Sequence, residues 1–142
     1  MATTAYNGAC ERAMGSDGLD VVGGDVRCML LIATSTTPDD PTHEFVSDIV
    51  ADEASDGSYA RVALTTESID RDDTNDRAEF KHDDILFANL DGGQILFAVL
   101  FNYNASDTAA TLISCHDIAD TTPNGNNFTL TVGAEGSVHV AV

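Results

Sequence analysis

The sequence predicts a mainly β single domain, a β-sandwich or barrel-like fold of about seven to nine strands with one or two short helices. Three observations carry that expectation. Polar, turn-forming clusters recur every eight to twelve residues or so. Two apolar runs, Cys28 to Ala33 and Ile95 to Phe101, have the length of buried strands and fall far short of a membrane span. Several flanking segments alternate apolar and polar residues with the period of two that a half-buried strand needs. No repeat or linker divides the chain, so residues 1–142 read as one domain, with 1–15 as a short N-terminal helical segment.

Taken in order, Tyr6 to Met14 reads as a short helix with Ala9, Ala13 and Met14 sharing a face with Tyr6, stopped at Gly15. Leu19 to Val22 reads as a short strand before the Gly23-Gly24 turn. Val26 to Ala33 is apolar on both faces after Arg27, which predicts a central strand covered on both sides. Thr34 to Asp40 is loop. Asp40-Pro41 suits a helix cap and first helical position, and Phe45, Val46, Ile49 and Val50 then fit a short amphipathic helix. Tyr59 to Thr65 alternates as a strand, with Ala60, Val62 and Leu64 on one face. Ser68 to Asp70 and Arg77 to Lys81 flank an acidic turn, Asp72 to Asp76. Asp83 to Phe87 leads to the Asp91-Gly92-Gly93 turn and the second doubly buried strand. Asn104 to Asp107 is loop, Leu112 to Ile118 a strand, and Asp120 to Asn127 a turn-rich loop. Phe128 to Val132 and Val138 to Val142 alternate and read as a hairpin joined through Gly133 to Ser137.

Charge narrows the function classes. The 142 residues hold 24 acidic side chains against 6 basic ones, a formal net charge of −18. That sign opposes phosphate binding and polybasic membrane attachment, so neither nucleic acid nor a membrane is an expected partner. With 43% apolar residues the chain is not a disordered acidic tail. The first residues lack the basic start and apolar run of an export leader. Two physical readings fit the acid excess: a surface adapted to molar salt, or calcium held by Asp-rich loops.

The motifs favour the first. Asp70, Asp72 and Thr74 match the first three ligand positions of an EF-hand loop, but Asn75 stands where glycine is needed and Lys81 where glutamate is needed. Asp39-Asp40 and Asp83-Asp84 read as turn or cap residues. His43, His82, His116 and His139 form no metal motif. His116-Asp117 lies near Ser114, yet no G-x-S-x-G elbow surrounds that serine. No phosphate loop or dinucleotide fingerprint occurs. The expectation is therefore a chain without catalytic, cofactor or metal residues. Cys10, Cys28 and Cys115 show no zinc spacing; Cys28 and Cys115 lie in apolar runs and read as buried thiols, with a bridge between them left open.

The order of segments carries a resemblance. His43-Glu44-Phe45-Val46-Ser47-Asp48-Ile49, Gly57-Ser58-Tyr59-Ala60, Thr74 to Phe80 before Asp83-Asp84-Ile85, and Leu112 to Asp117 stand in a familiar succession. Over nearly its whole length the chain resembles a family of small proteins encoded among the structural genes of tailed viruses of bacteria and archaea. The resemblance implies a virion component, a head decoration (cement or turret) protein that binds and stabilises the major capsid shell. It implies assembly in the host cytoplasm, a place on the capsid surface, no cofactor and no catalytic residue. Symmetry favours a homo-oligomer, first a trimer, with a pentameric turret as the alternative. Contacts to subunits or capsid are expected from the N-terminal segment Ala2 to Cys10, through Thr3, Thr4, Ala5, Tyr6 and Ala9. A tail- or fibre-associated protein is the nearest alternative, and a calcium-dependent adhesion or carbohydrate-binding module is the next. The chain departs from the family in its acid content, which points to a virus of a salt-loving host.

Overall fold

The computed structural model describes residues 3–15, 18–133 and 138–141, the last for backbone pairing only. It is mainly β, with one α-helix, as the sequence predicts. Ten strands are present among the described residues: β1 (Thr3–Ala5), β2 (Val26–Leu31), β3 (Val62–Ala63), β4 (Ser68–Asp72), β5 (Arg77–Lys81), β6 (Ile85–Leu90), β7 (Ile95–Asn104), β8 (Ser106–Thr121), β9 (Asn126–Leu130) and β10 (Val138–Ala141). The helix α1 spans Asn7–Met14.

The organising unit is a five-stranded antiparallel sheet in the order β1-β8-β7-β2-β3. Its middle is the long β7–β8 ribbon with β2 alongside, in register from Val26 opposite Asn102 to Leu31 opposite Phe97. Alternate residues of these strands enter two separate cores. Val26, Cys28, Leu30, Ala98 and Leu100 face one, shared with Phe80 of β5 and with Ile85, Phe87 and Leu90 of β6. Met29, Leu31, Val99, Phe101 and Leu112 face the other, closed by Tyr6, Val46 and Ile49. The expected double burial of the two apolar runs is thus observed, and each is explained by a different covering layer. The first layer is built from two smaller antiparallel sheets, β10-β5-β4 and β6-β9. Together with the large sheet they make a sandwich-like arrangement.

Several expectations need correction. Leu19 to Val22 is not a strand: the Asp20 carboxylate accepts the N–H groups of Val22 (3.1 Å) and Gly23 (2.6 Å) and bends the chain into a turn. The amphipathic helix over Phe45–Val50 is replaced by two 3-10 turns, Val46–Asp48 and Val50–Asp52. The segment's backbone is spent on the sheet at both ends, through a Phe45–Thr111 bridge to β8 and a Leu31–Glu53 bridge to β2. Its Asp48 carboxylate takes the N–H groups of Glu44 (3.0 Å) and Phe45 (2.9 Å) and so caps the start of the first 3-10 turn. The apolar positions still point inward, because Val46 and Ile49 are fully buried. Asp40 caps only the turn at Thr42.

The strand expected over Tyr59–Thr65 shrinks to Val62–Ala63. The loop expected over Asn104–Asp107 shrinks to Ala105, at φ 61, between β7 and β8. The expected hairpin between the last two strands is not formed: β9 pairs with β6, and β10 pairs with β5. Residues 134–137, part of its connection, lie outside the described residues. The turn at Asp91–Gly93 is as expected, and Gly92 is needed there. Its φ is 121, and a Cβ would lie 1.3 Å from the Asp56 carboxylate.

If the central sheet depends on both cores, truncation on either face should be severe. Leu30→Ala and Leu31→Ala, at neighbouring positions on opposite faces, should each cost about 3 kcal/mol in urea unfolding. Ile69→Ala, on exposed β4, should cost about 0.5 kcal/mol or less. Equal, small losses at all three positions would contradict the two-core arrangement.

Candidate functional site at the N-terminal strand

The N-terminal segment begins as a strand rather than a helix. Thr3, Thr4 and Ala5 lie antiparallel to β8, opposite His116, Cys115 and Ser114. The chain then turns into α1, whose N–H at Asn7 donates to Pro41 O (2.9 Å). Of the five expected contact residues, Thr3 and Ala5 are exposed and Thr4 is half-buried. Tyr6 (0% exposed) and Ala9 (5%) are inside the fold, where packing within the chain occupies them. Tyr6 Oη donates to Pro38 O (2.5 Å) and anchors the loop over the second core. Burial raises its pKa, with the Cys115 thiol beside it adding to the rise. Ala2 lies outside the described residues.

Beneath β1 runs a polar chain that the sequence suggested only as a nearby Ser and His. Ser114 and His116 are two apart on β8 and share its face toward the first core. Ser114 Oγ stands 2.9 Å from His116 Nε2, and His116 Nδ1 stands 3.1 Å from Thr3 Oγ1. Spacing of two on a strand was the available signal. The geometry is that of a hydroxyl and a base, but Ser114 is 0% and His116 7% exposed, so this face of the pair meets the core rather than solvent. Its evident work is to tie β1 to β8. Burial, helped by the nearby His82, lowers the His116 pKa to about 4.

Beside this chain, between α1 and β5, lies an apolar groove of about 280 Å³ lined by Ala5, Ala9, Cys10, Leu19, Ala78 and Phe80 among others. Glu79, at its wall, is 5% exposed and paired with Arg77 (2.8 Å) and Lys81 (3.1 Å).

Other acids serve local structure. Asp52 is 1% exposed and accepts from Ser35 Oγ, Thr36 N (2.7 Å) and Thr36 Oγ1 (2.6 Å). Burial works to raise its pKa, yet these donors outweigh it and the pKa is lowered. Arg61 bridges Glu53 (2.6 Å) and Asp107 (2.5 Å) over the Phe101 ring. Asp72, from the loop that half-matches a calcium site, accepts from Thr74 N (3.0 Å) and Asn75 Nδ2 (2.6 Å) and shapes its own turn. Lys81 occupies Asp70 (3.0 Å). Among the described residues no three His, Cys, Asp or Glu side chains converge so as to hold a metal ion. Cys28 and Cys115 are buried free thiols, one in each core and so on opposite faces of the sheet. Burial pushes the Cys115 thiol up to about 12.

No protein-family model matches this chain, and no curated protein matches it.

The buried imidazole has a measurable consequence. Its folded pKa lies below that of a free histidine, so the unfolded chain binds the proton first as pH falls. Stability should drop between about pH 6.5 and pH 4, by on the order of 2–3 kcal/mol from His116, and that loss should level off below. Asp52 acts in a lower window, since its lowered pKa delays protonation in the folded state. Urea unfolding across pH should show the first drop, and His116→Gln should flatten it. An unchanged slope in that variant would contradict the assignment.

Proposed function

We propose that this chain is a structural protein of a tailed virus, a head decoration protein that binds and stabilises the major capsid shell, adapted to a salt-rich medium. It is read as a non-catalytic body whose partners are protein.

The observation that carries this reading is the layout of charge. All six basic side chains are tied to acids of the same chain: Arg12 to Glu44, Arg27 to Asp25, Arg61 to Glu53 and Asp107, Arg71 to Asp73, Arg77 to Glu79 and Asp72, and Lys81 to Asp70 and Glu79. The surplus acids therefore set the outward field without a cationic patch to relieve it. Such a body meets a partner through uncharged surface and backbone groups, contacts that survive where salt removes long-range electrostatics. The doubly covered sheet supports the same reading, because a stiff slab can bridge a seam between capsomers. A protein that binds only the assembled shell shifts assembly toward the closed state by mass action.

Cryo-electron microscopy of intact particles carrying this gene product tests the proposal. Density fitting the sandwich should cover the capsid surface at symmetric positions. Density on the tail alone, or none on the particle, would overturn it.

A further inference from the structure

We propose that β1 is a self-association edge, pairing antiparallel with β1 of a second copy of this chain about a two-fold axis at Thr4, in molar salt. The inference concerns the protein in solution and stands apart from the virion reading. The Tyr6 N–H donates to Ile113 O (3.1 Å), inward toward β8. In an antiparallel ladder alternate residues face alternate sides, so Thr4 also faces β8, while the N–H and C=O groups of Thr3 and Ala5 face outward. Those two residues are exposed. The edge is bounded on its far side, where the next outward N–H, at Asn7, is taken by Pro41 O.

Three features select a second copy as the occupant. First, the edge is self-complementary. A two-fold axis at Thr4 sets Thr3 against Ala5 of the partner and Ala5 against its Thr3, and both pairs exchange N–H and C=O groups. Second, the edge carries no guard against such pairing. β4 bears Asp70, Arg71 and Asp72, and β3 is only two residues long, whereas β1 has neither a charge nor a proline. Third, residues 3–10 contain no Asp, Glu, Lys or Arg. Two copies, each carrying −18, would meet along an uncharged strand, with Asp39 and Asp40 near its Tyr6 end. The mostly apolar groove beside Ala5 adjoins this strand, with Glu79 in its wall paired to Arg77 and Lys81. At low salt the net charges still repel, so pairing should require screening.

Sedimentation velocity tests the inference. The chain should be a monomer in about 0.1 M KCl and a dimer in about 2 M KCl, where the screening length falls from about 10 Å to below 3 Å. Ala5→Pro removes an outward N–H without touching the β8 ladder and should leave a monomer in both. In a Cys10→Ser, Cys115→Ala background, which removes the thiol opposite residue 4 on β8, Thr4→Cys should form an intermolecular disulfide at high salt, because the two Thr4 positions face each other as a non-hydrogen-bonded pair about 4.5 Å apart. That arm decides the matter if Ala5→Pro does not fold. A wild-type monomer in high salt, a dimeric Ala5→Pro, or a Thr4→Cys chain that does not cross-link would each overturn the proposal.

Discussion

The rest of this structure depends on covering both faces of one antiparallel ribbon. β7 and β8 are long, apolar on both sides in their middle, and joined through a single residue, Ala105. A sheet of that kind needs two lids. One is supplied by the smaller sheets, the other by the 32–52 segment with Tyr6. The second lid is the less regular. It is secured by buried polar contacts, with Asp52 holding Ser35 and Thr36 and Tyr6 holding Pro38. Buried donors and acceptors that are satisfied in this way let a loop lie over a core without the cost of stranded polar groups.

Charge works against this arrangement. Ion pairs tie up every basic residue, yet most are partly exposed, and exposed pairs contribute little to stability. Arg61 is the better case: it is four-fifths buried, bidentate to Glu53 and stacked over Phe101. The remaining acids repel one another. Stability must therefore come from the two cores, and the net charge sets the ionic strength at which those cores suffice.

Much of the fold was legible in the sequence because its strongest signal is the apolar run. Val26 to Ala33, after Arg27, and Ile95 to Phe101 announce doubly buried strands by lacking alternation, and Arg77 to Lys81 announces a strand by having it. The failures share a cause. β1 is three residues long, too short for a period, and exists because β8 offers it an edge. The 45–52 segment has a helical spacing, but its bridges to β2 and β8 decide its backbone. The partners of β9 and β10 are strands 36 residues or more away in sequence, which local turn chemistry cannot foresee. At the N-terminal edge, Thr3 and Ala5 were nameable in advance. The polar chain through His116 to Ser114 was not, because its meaning depends on which strand lies opposite.

The most direct test of the account is the melting temperature as a function of salt. If two apolar cores hold a self-repelling acidic surface together, the melting temperature should rise steadily from low salt into molar KCl, and NaCl should act similarly. A melting temperature that falls or stays flat over that range would contradict the account, since a fold held mainly by its ion pairs weakens under screening.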